Sequence, residues 1–112
     1  MLFSFTGQYT AQALNAMAEN PNTDRHTAVA HLIEAAGGKL VAMYGTSVNG
    51  PGVLVIFDVP DPDMSVAISG VAVSSGAVHH AHLVRLFTMD EVKSIRQKRG
   101  KLSGAYKAPG QA

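Results

Sequence analysis

One apolar run, residues 53–59, constrains the fold of this chain more than any other segment. It reads Val-Leu-Val-Ile-Phe-Asp-Val, which indicates a β-strand with almost no polar residue on either face. A strand of this kind needs cover on both sides. The chain has 112 residues, enough for one domain but too few for helices on both faces of a sheet. We therefore expect a small sheet with helices on one face and another subunit on the other.

The segments on either side of this run are typical of a turn and of a helix start. Asn49-Gly50-Pro51-Gly52 precedes it and predicts a hairpin to an earlier strand. Asp61 follows as a helix N-cap, with Pro62 at the first helical position, where proline is favoured. The helix that begins there is rich in small residues, and we expect it to end near residues 74–76.

The remaining elements follow from the spacing of apolar residues. Alternation predicts three further strands, at residues 2–9, 39–48 and 78–87. Helical spacing and capping residues predict further helices, at residues 10–19, at 25–36 and from a capping box at 88–91 to about residue 98. Gly100 is expected to stop the last helix, which leaves residues 101–112 as an extended C-terminal tail behind a domain of residues 1–100.

The order β-α-β-β-α-β predicts an α+β, ferredoxin-like fold. Its four-stranded antiparallel sheet carries both main helices on one face, and residues 53–59 form a central strand. The other face would expose a large apolar patch in a monomer. Packing of two such sheets, as in a dimeric α/β-barrel assembly, removes the patch, so we expect a homodimer or a higher homo-oligomer. The alternative is that the last helix and tail fold back over this face.

Composition narrows the class of protein. The net charge of +1 gives no strong electrostatic field that would attract nucleic acid or an anionic membrane. The absence of cysteine excludes disulfides and a thiol nucleophile, and it fits a reducing compartment. The N-terminus lacks the features of a signal peptide, and no apolar run reaches the roughly 18 residues of a membrane helix. We expect a soluble, cytoplasmic protein whose partner is a copy of itself, with no nucleic acid and no membrane.

Several short segments, in their order and spacing, resemble the GYD-domain family of the dimeric α/β-barrel, ferredoxin-like superfamily. They are Tyr9-Thr10, Thr23-Asp24-Arg25, Ala35-Ala36-Gly37-Gly38-Lys39-Leu40, Val59-Pro60-Asp61, Leu86-Phe87-Thr88-Met89-Asp90-Glu91 and Ala105-Tyr106-Lys107-Ala108-Pro109-Gly110. The chain departs from the family at its namesake Gly-Tyr-Asp signature, where Pro51 and Gly52 occupy the tyrosine and aspartate positions. The resemblance implies the fold and the assembly and leaves the activity open.

A cluster of three histidines, His79, His80 and His82, is the strongest candidate for chemistry. Regular alternation places His80 and His82 on one face of the strand and His79 on the other. Two imidazoles at that spacing can hold a transition metal or contact a haem, with a third ligand from His26, His31, Asp58 or a partner subunit. The alternatives are hydrogen bonding at a strand end or subunit contact, in which case no cofactor is bound, and an acid–base role.

Three other residues are candidates for ligand binding. Asp58 is the only charge in its strand, and it either pairs with Arg85 or Lys39 or lies in a pocket with a raised pKa. Tyr9 and Tyr44 either pack in the core or line the same cavity.

Two classes of function are compatible with these residues. The first is a non-catalytic homo-oligomeric module that binds a small ligand or assembles with a partner. The second, which the resemblance implies, is a small dimeric α/β-barrel enzyme, monooxygenase- or isomerase-like, or a protein that uses the histidines for haem or metal. Fold alone does not separate the two.

Overall fold

A computed structural model describes residues 1–111. The strands are β1 (Leu2–Tyr9), β2 (Lys39–Thr46), β3 (Gly52–Asp58) and β4 (Val78–Leu86). The helices are α1 (Ala11–Glu19), α2 (Arg25–Ala35), α3 (Pro62–Ser74) and α4 (Met89–Leu102), and a 3₁₀ turn follows at Ser103–Ala105. No helix in this part of the chain combines the length and the hydrophobicity that a membrane span requires.

The strands form one antiparallel sheet in the order β2-β3-β1-β4. This order confirms the predicted ferredoxin-like fold, with the apolar run at β3 in a central position. The central strands alternate as expected, since Phe3, Phe5, Val55 and Phe57 are buried while the residues between them are only partly covered. One face of the sheet is therefore the side of the core.

Helices α2 and α3 cover that face, which we call the covered face. Ile33 of α2 and Ile68 of α3 belong to the same buried cluster as the central-strand side chains. Phe3 and Phe57 stack within it, with ring centroids 5.7 Å apart. Burial of these large apolar groups, at about 25 cal/mol per Å², is the main favourable term that holds the two layers together.

The opposite face of the sheet, which we call the open face, is ordered in rows by the strand register. The two central rows run across all four strands and consist of Ala42, Ile56, Ser4 and Val84, and of Tyr44, Leu54, Thr6 and His82. Tyr44 is 64% exposed and Val84 is 54% exposed. Large side chains, apolar valine among them, are thus exposed to solvent on this face.

Helix caps set the starts of α3 and α4 where the sequence predicts them. The Asp61 carboxylate accepts a hydrogen bond from the amide of Asp63 (2.9 Å), and Pro62 begins α3. At α4, the Thr88 hydroxyl accepts from the amide of Glu91 (3.1 Å), and the Glu91 carboxylate accepts from the amide of Thr88 (2.9 Å). The capping box is therefore complete.

The end of α4 differs from the prediction. The helix continues past Gly100 to Leu102, and a 3₁₀ turn follows, so the first residues of the expected tail are helical. A glycine inside a helix costs only about 1 kcal/mol relative to alanine, and Gly100 keeps a negative φ, so it does not end the helix.

Helix α4 also stands away from the domain. It has no buried residue and makes few contacts with the sheet. The radius of gyration is 18.2 Å, against about 13 Å for a compact domain of this length. Within residues 1–111 the alternative fold-back of the last helix over the open face does not occur, and that face has no cover from its own chain.

Candidate functional site

A cavity of about 180 Å³ lies between α2, α3 and the covered face of the sheet. Aromatic and aliphatic side chains from all of these layers form its walls, among them Phe5, Val29, Leu32, Met43, Val55 and Ile68. Small residues on α3 and just before β4, Ala72 and Ala77, leave the space that larger side chains would fill. Ligand sites in proteins are usually concave, mostly apolar and supplied with a few polar groups, and this cavity fits that description.

Four residues form what we call the mouth of the cavity: Tyr9, Arg25, Ser75 and Ala77. They line the cavity and also an outer groove, whose other lining residues include Ala13 and Met17 of α1. The cavity and the outer groove therefore adjoin at the mouth. Because the deep walls are apolar, the polar groups of the site are concentrated where it opens.

Thr10 fixes the mouth by joining its two sides. The Thr10 amide donates to the carbonyl oxygen of Ala77 (3.0 Å), and its hydroxyl donates to the carbonyl oxygen of Gly76 (2.7 Å). The same hydroxyl accepts from the amide of Ala13 and so caps α1 (3.1 Å). One side chain thus ties the end of β1 and the start of α1 to the turn between α3 and β4.

Arg25 is the only charged residue at the mouth. It is the first residue of α2 and is partly buried, and within residues 1–111 it forms no ion pair and donates no side-chain hydrogen bond. Its neighbour Asp24 is occupied elsewhere, because its carboxylate accepts from the hydroxyl (2.6 Å) and the amide (3.0 Å) of Thr27. These bonds lower the pKa of Asp24 from its ordinary value. The Arg25 guanidinium therefore keeps its donors for another partner.

The sequence did not identify Arg25 as a site residue. A cation in the first turn of a helix is disfavoured by the helix dipole, and this anomaly is the one local signal that could have drawn attention to it. Its place beside Tyr9 and Ser75 depends on contacts between α2, β1 and α3 that lie far apart in the chain.

The two candidate tyrosines lie on opposite faces of the sheet. Tyr9 pairs with the buried Val78 on the covered face and lines the mouth. Tyr44 pairs with Leu54 and lies on the open face. The expectation that the two tyrosines line one cavity is therefore wrong for the single chain, since the sheet separates them.

Asp58 lies outside the cavity, at the end of β3. Its side chain is 52% exposed and forms an ion pair with the N-terminal ammonium group of Met1 (2.8 Å). Neither predicted partner takes this place. Lys39 is its register neighbour but forms no ion pair with it within residues 1–111, and Arg85 pairs with Glu91 (2.9 Å).

A β-bulge changes the expected arrangement of the histidines. β4 slips against β1 so that Thr6 pairs with His82 and Gln8 pairs with His79. His79 and His82 therefore share the open face, whereas regular alternation had placed them on opposite faces. His80 occupies the bulge with φ 51°, in the left-handed region, and its ring lies 4.4 Å from that of His79, centroid to centroid.

The histidines are exposed, and His80 and His82 line an open groove together with residues such as Gln8 and Val48. His26 and His31, on α2, are exposed as well. Among residues 1–111 no three His, Asp or Glu side chains come together in a set that could hold a metal ion. A metal or haem at His80 and His82 would need ligands from a second copy, and it stays a prediction.

The turn between β2 and β3 is the place where the chain departs from the family signature. Asn49 and Gly50 both adopt positive φ, 55° and 108°, in the loop that joins the two strands, a conformation that asparagine and glycine tolerate best. A Cβ on Gly52 would lie 2.5 Å from the carbonyl oxygen of Gly7 and 2.7 Å from the Thr46 hydroxyl. In this chain, the position that the resemblance gives to the family's aspartate therefore has no room for a side chain.

The element order, sheet topology and cavity define a small α+β protein of the ferredoxin-like class. A family model described as the GYD domain matches residues 3–95, and the chain belongs to that family. Among solved structures, the chain is similar to 5-chloro-2-hydroxyhydroquinone dehydrochlorinase (TftG) from Burkholderia phenoliruptrix AC1100, in complex with 2,5-dihydroxybenzoquinone.

The TM-score for that comparison is 0.54 at 15% sequence identity, and the alignment covers 78% of this chain and 94% of the other. At this identity the similarity shows the fold alone. The search of curated proteins gave no match.

Proposed function

We propose that this protein is a homo-oligomeric binding module whose ligand is a small, ring-sized, mainly apolar molecule held in the cavity between α2, α3 and the sheet. The observation that carries the proposal is the cavity itself, about 180 Å³ with apolar walls. An apolar cavity of about 150 Å³ is enough to hold one benzene molecule. A single six-membered ring therefore matches the space, and burial of its faces would supply the main affinity.

The structural neighbour supports a ligand of this size. That protein is described in complex with 2,5-dihydroxybenzoquinone, a single-ring compound. The shared fold indicates that a sheet and helices arranged in this way are compatible with a ring-sized ligand in a protein of about this size.

Self-association is the second part of the proposal. Two observations support it: the open face exposes apolar residues such as Val84 and Tyr44, and α4 stands clear of that face. Exposed apolar residues on α4, Met89, Ile95 and Leu102, would gain cover from a neighbouring copy. Packing of two open faces against each other would bury the exposed rows of the sheet.

A small enzyme of the dimeric α/β-barrel kind is the second candidate. Tyr9 favours it, because a phenol at the mouth is able to exchange a proton with a bound ring, and because the neighbour is described as a dehydrochlorinase. Binding with no turnover of the bound ring supports the module, and turnover that is lost in a Tyr9→Phe variant supports the enzyme.

A space-filling substitution tests the cavity. Ala72 of α3 lines it, so Ala72→Leu places three more carbon atoms in the space that a ligand would occupy. We expect the affinity for benzyl alcohol, a neutral single-ring probe, to fall at least about tenfold, equivalent to about 1.4 kcal/mol. The dissociation constant would be measured by ligand-observed NMR on the full chain.

The matched control is Ala67→Leu, on the same helix but exposed and outside the cavity. It should leave probe binding unchanged, and both variants should keep the circular dichroism of the parent. Equal probe affinity in the parent and in Ala72→Leu, or no binding in any of the three proteins, would contradict the proposed function.

A further inference from the structure

The mouth of the cavity carries a charge pattern that specifies the ligand further. Arg25 supplies one positive charge, and neither the cavity nor the outer groove has an aspartate or glutamate among its lining residues. A partly buried arginine beside an apolar cavity, with no ion-pair partner among residues 1–111, is favourable for an anion and unfavourable for a cation.

The polar groups at the mouth differ in their availability. The Ser75 hydroxyl is engaged, since it donates to the carbonyl oxygen of Ala72 (2.6 Å) and accepts from the amide of Ala77 (3.2 Å). The Tyr9 hydroxyl and the Arg25 guanidinium make no hydrogen bond within residues 1–111, and no fully buried side-chain nitrogen or oxygen there lacks a partner. Both groups therefore remain within reach of solvent and of a ligand.

We infer that the cavity selects a single-ring aromatic carboxylate, with the ring among the apolar walls and the carboxylate at the mouth on Arg25. The inference rests on the proposed function. The planar fork of arginine fits a carboxylate through two parallel hydrogen bonds, a geometry that a neutral hydroxyl cannot provide. Tyr9 lines the same mouth, and its hydroxyl would supply an additional donor to the carboxylate. The outer groove beside the mouth leaves space for a further substituent.

The test compares two probes that share the ring and differ in charge, benzoate and benzyl alcohol. We expect the parent protein to bind benzoate more tightly than benzyl alcohol. In Arg25→Gln, benzoate affinity should fall at least about tenfold while benzyl alcohol affinity stays the same, because only the charge-assisted bonds are lost. Retained benzyl alcohol binding also shows that the variant is folded.

Arg96→Gln is the matched control, since it removes an exposed arginine of α4 that lines neither the cavity nor the outer groove. It should leave the affinity for both probes unchanged, whereas Arg25→Lys should retain only part of the preference for benzoate. Equal binding of the two probes in the parent, or an equal loss in Arg25→Gln and Arg96→Gln, would overturn the inference and leave the proposed function standing. If neither benzoate nor benzyl alcohol binds, both the inference and the proposed function are overturned.

Discussion

The two faces of one sheet differ in how their apolar residues are covered. On the covered face, Phe57 and Val55 pack against α2 and α3 and are nearly inaccessible to solvent. On the open face, Ile56 and Leu54, from the same strand, are only partly buried, and Tyr44 and Val84 beside them are exposed. Adjacent residues of β3 thus have different roles. One set stabilises the single chain, and the other forms the exposed surface that we propose for association.

The largest expected effect comes from the covered face. Phe57 is fully buried, so Phe57→Ala should lower the free energy of unfolding by about 3–5 kcal/mol, through lost burial and the cavity left behind. Urea denaturation at a protein concentration low enough for the chain to be monomeric would measure it. Leu54→Ala is the comparison on the open face, and it should lower the free energy of unfolding clearly less than Phe57→Ala does under these conditions. Equal losses would mean that the two faces are equally packed in the single chain.

A charge on the open face should act on assembly instead of on the fold. Val84→Lys places an ammonium group on the open face, at the β4 end of an exposed row, and we expect the dissociation constant of the oligomer to rise at least about 100-fold, or about 2.7 kcal/mol. Analytical ultracentrifugation would measure it. Val66→Lys changes a similarly exposed valine, 64% exposed on α3, and should leave the oligomer intact. A parent protein that is monomeric at all concentrations would refute the proposed association.

The smallest effect concerns α4, which depends on its cap because it lacks a packed face. The amide of Thr88, and to a lesser degree Arg85, lower the pKa of Glu91 from its ordinary value of 4.5. A lowered pKa in the folded state means that the stabilisation is present above pH 4.5 and is lost as the pH falls through the lower folded pKa. NMR titration of the Glu91 carboxyl carbon would measure its pKa, and amide exchange in the first turn of α4 would measure the stabilisation.

Two variants separate the causes of this pH dependence. In Glu91→Gln the exchange in the first turn should no longer respond to pH in this window, since the titrating group is gone. In Arg85→Gln the pKa of Glu91 should stay below 4.5, because the amide of Thr88 is the larger cause. An unshifted pKa in the parent protein would show that the capping box does not persist in solution.

Local signals in the sequence were sufficient for the fold. The caps at Asp61 and Thr88 and the apolar alternation of β1 and β3 are properties of neighbouring residues, and the structure confirms them. The same signals did not predict the end of α4, because a glycine such as Gly100 weakens a helix without ending it.

The site was less accessible to sequence reasoning because long-range contacts build it. The bulge that reorders the histidines arises from the register between Gln8 and His79, which only the folded sheet defines. The separation of Tyr9 from Tyr44 follows from strand pairing in the same way. Arg25 lies beside Tyr9 and Ser75 only in the folded chain, so its role could not be predicted from its neighbours in the sequence.

The irregular edges of the sheet limit the ways in which copies of this protein can assemble. Each outer strand has a register shift, β2 between Leu40 and Ala42 and β4 opposite Gly7. Bulged edges are poor templates for a further strand, so edge-to-edge pairing of sheets into a fibre is disfavoured. Contact through the open face, by contrast, would be self-complementary and would close after two copies. The bulges therefore favour finite particles over filaments.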